Sequence, residues 1–80
     1  MRVEIRKGAV KDFKKIPEPL KSKIKEKIAL LERFPELPNV KKLTNHTPAY
    51  RLRVGDYRIL FDVYEDKIEV AAIKHRKESY

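Results

Sequence analysis

Apolar residues along the chain change their period twice, and the changes mark the elements. Residues 2–6 alternate polar and apolar with Val3 and Ile5 on one side, which predicts a short strand, broken by Gly8. Ala9, Phe13 and Ile16 then recur at i, i+4 and i+7, the spacing of a short amphipathic helix. Pro17 and Pro19 interrupt that pattern and fit the first turn of a second helix, with Glu18 near its positive end. Leu20, Ile24, Ile28 and Leu31 form the apolar stripe of that helix. Lys21, Lys23, Lys25 and Lys27 lie mostly off the stripe, interleaved with Glu26 and Glu32, and read as a solvated face. Pro35 and Pro38 end the helix. Joined near Pro17, the two helices predict an αα-hairpin.

Residues 39–48 read as a loop that carries Lys41, Lys42 and His46. Beyond it the period becomes two. Tyr50, Leu52 and Val54 alternate with Arg51 and Arg53. Gly55-Asp56 follows, a two-residue loop with Gly at its first central position, as a type II′ hairpin turn requires. Tyr57, Ile59, Phe61 and Val63 then alternate with Arg58, Leu60, Asp62 and Tyr64. Glu65-Asp66 is a weaker turn, and Ile68, Val70 and Ala72 continue a third strand that ends near Lys74. Neither repeats, low-complexity segments nor an inter-domain linker interrupt the order. Strand, helix, helix, strand, strand, strand predicts an α+β fold over residues 1–80, one domain, with the helical hairpin on one face of a mainly antiparallel sheet.

Composition limits what this fold can rest on. A chain of 80 residues has a modest core, burying only about 60–65% of its unfolded surface. It has no cysteine, so neither a disulfide framework nor a thiolate metal site supports it. The two histidines and the scattered carboxylates show no metal-ligand spacing, and no cofactor is implied. No apolar run approaches the ~18 residues of a membrane span, and the N-terminus lacks the pattern of a signal peptide. The expectation is a soluble protein of a reducing compartment, the cytoplasm.

Charge adds direction. Lys and Arg number 20 against 12 Asp and Glu, a net charge of +8. That balance favours an anionic partner: nucleic acid, an acidic protein or an anionic membrane surface. A heat-tolerant surface rich in both Lys and Glu accounts for many of the lysines as well. It accounts less well for the arginines, because they cluster.

The Gly55-Asp56 loop fixes the register of that cluster. Val54 lies opposite Tyr57, Arg53 opposite Arg58, Leu52 opposite Ile59 and Arg51 opposite Leu60. Arg51, Arg53 and Arg58 then share one face, and Tyr50, Leu52, Val54, Tyr57, Ile59 and Phe61 pack on the helices. Like charges directly opposite each other destabilise a sheet, so stability alone does not select Arg53 across from Arg58. A bound polyanion explains the pair, and guanidinium matches phosphate through bidentate hydrogen bonds. The alternative is an outward face that carries charge only to resist aggregation.

With Glu65-Asp66 as the next loop, Arg58 faces Ile73. Leu60, Tyr64, Ala71 and Ile73 then join the arginine face and make it partly apolar. The same parity puts His75 on the arginine face and Arg76 on the other, unless the strand has ended, as the polar run 75–80 predicts. His75 suits acid–base work near neutral pH or is a surface histidine. Tyr80 suits stacking on a base or belongs to a loose tail. His46 reads as a plain loop residue.

Residues 50–61, YRLRVGDYRILF, followed by 73–80, IKHRKESY, resemble the RelE/ParE toxin superfamily, and its RelE-like toxins more closely. The resemblance covers nearly the whole chain, including the element order and Lys42-Leu43 before the hairpin. The Gly55-Asp56-Tyr57-Arg58 turn and the Arg76-to-Tyr80 ending are fairly specific together. The resemblance implies a toxin of a type II toxin–antitoxin module that cleaves mRNA in the ribosomal A site without a metal. The ribose 2′-OH attacks the adjacent phosphorus, leaving a 2′,3′-cyclic phosphate and a 5′-OH. It implies catalytic roles for Arg51, Arg53, Arg58, Arg76 and Tyr80. Arg58 and Arg76 would stabilise transition-state charge, Arg51 and Arg53 would hold the backbone and help activate the 2′-OH, and Tyr80 would stack on a base. Lys41 and Lys42 join Arg51 and Arg53 as RNA-binding candidates. Some relatives carry lysine where Arg51 and Arg53 stand. Arginine keeps its proton, which leaves the general base open, with His75 one candidate beside a ribosomal or substrate group. Implied partners are the ribosome, mRNA and an acidic RelB-like antitoxin, the chain being a monomer alone and a hetero-oligomer with the antitoxin. Two other functions share the scaffold: a ParE-like inhibitor of DNA gyrase, and a non-catalytic RNA- or antitoxin-binding module.

Overall fold

The computed structural model describes residues 2–77. In chain order the elements are β1 (Arg2–Ile5), α1 (Lys7–Lys14), α2 (Leu20–Leu30), a 3₁₀ turn (Leu31–Arg33), β2 (Val40–Lys42), β3 (Tyr50–Val54), β4 (Tyr57–Val63) and β5 (Lys67–His75). The strands form one sheet in the order β1-β5-β4-β3-β2. Both helices lie on one face of it, as the helical and period-two patterns predict.

Local chemistry sets the joints. Arg6 donates its N–H to Val70 O at 2.9 Å and accepts from Val10 N at 3.0 Å, so the chain passes from strand to helix without a loop. α1 stops at Lys14, where the Lys15 and Ile16 amides turn back onto the Asp12 and Phe13 carbonyls. That turn drops Ile16 into the core. Pro19 is the N-cap residue of α2, so the helix begins at Leu20 and the two prolines precede its first turn. α2 tightens into the 3₁₀ turn at Leu31, before Pro35 and Pro38.

Ile24, Ile28 and Leu31 pack onto Leu52, Ile59, Phe61, Ile68, Val70 and Ile73 of the sheet. Each such side chain contributes about 1.5–3 kcal/mol on leaving water. Phe34 stands edge-on to both Tyr50 and Phe61, with ring centroids 5.3 and 6.0 Å away. Among the described residues no helix is long and apolar enough to cross a membrane.

Two features correct the sequence reading, and a third, the direction of β1, completes the mainly antiparallel sheet it expected. The loop at residues 39–48 contains a fifth strand, β2, with Val40 opposite Leu52, Lys41 opposite Arg51 and Lys42 opposite Tyr50. Three residues are too few to show an alternation. β1 runs parallel to β5, so the sheet is mixed, though its other three pairings are antiparallel. The second correction is a β-bulge on β5. Phe61 pairs with Val70, but Leu60 pairs with Ala72, leaving Ala71 as the extra residue. Past the bulge every residue of β5 changes face. Arg58 therefore lies opposite Lys74, not Ile73, and Ile73 joins the core at 3% exposure.

Candidate nucleic-acid interface

The β3–β4 register is the one the turn predicts: Val54 opposite Tyr57, Arg53 opposite Arg58, Leu52 opposite Ile59 and Arg51 opposite Leu60. Gly55 has φ +58°, and Asp56 is not among the residues with positive φ, the combination a II′ turn uses. A Cβ on Gly55 would stand 3.3 Å from Leu20 Cδ2, so the hairpin tip rests on the start of α2. The Arg53 N–H points away from β4, to Asn39 O at 3.4 Å. Arg53 and Arg58 are thus a non-hydrogen-bonded pair, the kind with Cα atoms only about 4.5 Å apart and side chains closest.

Across the helix-free face the side chains fall into rows. One row is Arg53, Arg58 and Lys74 on β3, β4 and β5. The next is Lys41, Arg51, Leu60 and Ala72 on β2 to β5. Arg53 is exposed, while Arg51, Arg58 and Lys74 are half-buried. Leu60 is buried at 2% exposure yet stands outside the helix-side core cluster, forming an apolar floor beside the cations. Asn39, Val40, Lys41, Arg51 and Arg53 line a shallow groove of about 260 Å³ at the β2 edge.

One row further along the strands the sign reverses. Asp62, Glu69 and Glu4 stand in register on β4, β5 and β1. Asp62 Oδ1 accepts the Ala49 N–H at 2.9 Å. Glu69 is 3.1 Å from Arg6 Nε, and Glu4 is 3.0 Å from Lys67 Nζ. The hydrogen bond and charge of Lys67 hold the Glu4 carboxyl below the usual carboxylate range, and Glu4 in turn raises the Lys67 ammonium. The face is therefore dipolar, cationic toward the hairpin tip and acidic toward the far end.

The other candidates separate. Strand β5 ends at His75, and Arg76 follows in a turn. The Arg76 N–H donates to Asp56 O at 2.7 Å, and its Nε lies 3.7 Å from Asp56 Oδ1, which folds it against the hairpin tip two residues beyond Lys74. His75 falls on the helix-side face because of the bulge. It lies opposite Tyr57 with perpendicular rings 5.1 Å apart, and its Nδ1 accepts the Lys77 N–H at 3.2 Å. Lys41 joins the arginines, whereas Lys42 faces the helices, with Nζ 6.0 Å from the centre of the Tyr50 ring. His46 Nδ1 lies 2.8 Å from Pro48 O within its loop. Tyr80 lies outside the described residues. Of the apolar residues expected on the arginine face, Leu60 is there and Tyr64 is exposed beyond the end of β4. Ala71 forms the bulge. Ile73 instead lines an apolar groove on the helix side with Ile5, Val10, Phe13 and Ile28.

Lys74 is the member of the cation row that simple alternation misplaces. A signal for it was present: the apolar residues Ile68, Val70 and Ile73 are spaced by two and then three, which a regular strand does not do. Ala71 and Ala72 are small enough to suit either face and hid the step. Among the described residues no group of three or more His, Asp or Glu side chains could hold a metal ion.

Comparison with known proteins places this geometry in a family. The profile described as "ParE toxin of type II toxin-antitoxin system, parDE" matches residues 3–80. Toxin RelE3 of Methanocaldococcus jannaschii is 34% identical over 84 aligned residues, covering 100% of this chain and 96% of that protein. The RelB-RelE antitoxin-toxin complex from Methanococcus jannaschii contains a chain that superposes with a TM-score of 0.77 at 32% identity, covering 92% of this chain and 91% of that one. A chain of the archaeal RelE-RelB complex from Pyrococcus horikoshii OT3 gives a TM-score of 0.77 at 29% identity, with coverages of 98% and 97%.

Proposed function

The chain belongs to the ParE toxin family of type II toxin–antitoxin systems, as a RelE-like member, and from that premise we propose that it cleaves mRNA in the ribosomal A site. The observation that carries this reading is the Arg53–Arg58 pair, held side by side at the point of closest approach with Lys74 as its neighbour. Such a row favours a dianionic phosphorane over a monoanionic phosphodiester, because its field acts most where charge accumulates.

In the proposed reaction the 2′-oxygen forms a bond to phosphorus and the bond from phosphorus to the 5′-oxygen breaks. The products are a 2′,3′-cyclic phosphate and a 5′-OH. Arg58 and Arg76 stabilise the charge on the non-bridging oxygens. Arg51, Arg53 and Lys41 hold the flanking backbone along the groove at the β2 edge. Tyr80 stacks on a base. Arginine does not give up its proton near neutral pH, and His75 lies against Tyr57 on the other face. The 2′-OH proton accordingly leaves to a ribosomal or substrate group, the departing 5′-oxygen takes up a proton from a ribosomal group or solvent, and this chain contributes orientation and charge. The partner that restrains it is an acidic antitoxin, supported by relatives solved as RelB–RelE complexes and by this chain's own net charge of +8.

The experiment adds purified protein to translating ribosomes and maps mRNA 3′ ends by primer extension. Cuts that require ribosomes are the expected result. A second reading, inhibition of DNA gyrase, is favoured by the ParE description of the matching family. Loss of gyrase supercoiling without any mRNA cut would replace the first reading with the second.

A further inference from the structure

The bulge at Ala71 changes what β5 offers to the helix-free face. Continued without it, the alternation from Val70 would turn Ala72 and Lys74 toward the helices and Ile73 toward solvent. With it, Ile73 is buried and Lys74 enters the row beside Arg58. We infer that Lys74 is a phosphate-contacting residue of the RNA site, gripping the same phosphate as Arg58, and that Asp12 is its positioning residue. The inference rests on the nuclease reading and adds a residue to it.

Neighbouring strands lie about 4.8 Å apart, so the Lys74 and Arg58 stems start within the span of one phosphate group. The two side chains offer different chemistry. Arg58 presents a planar fork, whereas an ammonium is a compact charge with three rotatable donors that adapts as the phosphorus changes geometry.

Asp12 sets where that ammonium rests. β1 pairs with β5 only as far as Val70, with Arg6 adding one last bond, so the Ile73 N–H lies beyond the end of its neighbour strand. Asp12 Oδ2, on α1, accepts that N–H at 3.0 Å. The same oxygen stands 3.9 Å from Lys74 Nζ. One carboxylate thus anchors the strand edge just past the bulge and holds the lysine half-buried, with 32% of its side chain exposed. At 3.9 Å the contact is a loose ion pair without a short hydrogen bond, so the ammonium can turn to a phosphate while Asp12 keeps its backbone partner.

The test compares wild type, Lys74→Gln, Lys74→Arg and Asp12→Asn, each checked by thermal unfolding. Single-turnover cleavage of ribosome-bound mRNA should fall about tenfold or more in Lys74→Gln and largely return in Lys74→Arg. Affinity for a short single-stranded RNA should lose about 0.7 from its log–log salt slope in Lys74→Gln. Asp12→Asn should slow cleavage per folded molecule, with the folded fraction read from thermal unfolding, while leaving that slope unchanged; a wild-type rate per folded molecule would remove Asp12 from the positioning role. Wild type that cuts and binds, beside a Lys74→Gln variant with the same rate and slope, overturns the inference and leaves the nuclease reading standing. Wild type that neither cuts mRNA nor binds RNA overturns the nuclease reading, and the role of Lys74 with it.

Discussion

The cation row and the acid row lie on one sheet face, four residues apart along β4 with the Leu60 row between them, yet they are wired differently. Both set like charges in register, an arrangement that destabilises a sheet unless something offsets it. In the acid row the offset is internal: Ala49 N–H serves Asp62, Arg6 serves Glu69 and Lys67 serves Glu4. The row of Arg53, Arg58 and Lys74 has no carboxylate among its members, and acids meet it at its margins, Asp12 near Lys74 and Asp56 near Arg76. A like-charge row with built-in counterions is architecture. A row made of cations alone is suited to an anion that comes and goes, which is what a phosphodiester substrate would supply.

Perturbing each row separates these roles. Arg58→Ala should lower cleavage about tenfold or more without unfolding the protein, and an unchanged rate would remove Arg58 from the site. Gly55→Ala attacks the device that sets the cation register. With φ +58° and Leu20 Cδ2 at 3.3 Å, it should cost roughly 1–2 kcal/mol of stability in urea unfolding. A neutral result would mean that the turn does not hold the register. Asp62→Ala orphans the Ala49 amide in the acid row and should cost about 1 kcal/mol. Cleavage per folded molecule should stay at the wild-type level, and a loss there would make the acid row part of the site.

The smallest effect is a pH dependence of the half-buried Glu4–Lys67 pair. Lys67 lowers the Glu4 carboxyl, so the pair's contribution is present above the ordinary carboxylate value of 4.5 and is lost as pH falls through the lowered one. Glu4 raises Lys67, so the contribution is also present below 10.5 and is lost as pH rises through the raised value. Glu4→Gln should slightly flatten both limbs of the urea midpoint against pH. An unchanged profile would show that solvent screens the pair completely.

The sequence already carried the half of this comparison that depends on local chemistry. A two-residue Gly-Asp loop leaves one register open to the hairpin, so Arg53 opposite Arg58 was legible. So were the helices, from Ala9, Ile24 and Ile28 at helical spacing. What was hidden depends on long-range pairing. Val40 is too short a signal for β2 until Leu52 is seen beside it. The bulge is decided by whether Ile73 or Ala72 fills the core, a competition that volume settles in the folded molecule and that two adjacent alanines disguise. That one step exchanged His75 for Lys74 on the cationic face. It also moved Ile73 from the expected arginine face into the core.

The central claim is that the cation row grips phosphates. Its most direct test is the affinity for single-stranded RNA measured against salt for wild type, Arg53→Gln/Arg58→Gln and Glu69→Gln. With at least the three cations of the row engaged, the wild-type log–log slope should be about −2 or steeper, and the double arginine variant should lose about 1.4 of it. Glu69→Gln should keep the wild-type slope. A wild-type slope near zero, or an equal loss in the acid-row variant, would contradict the account.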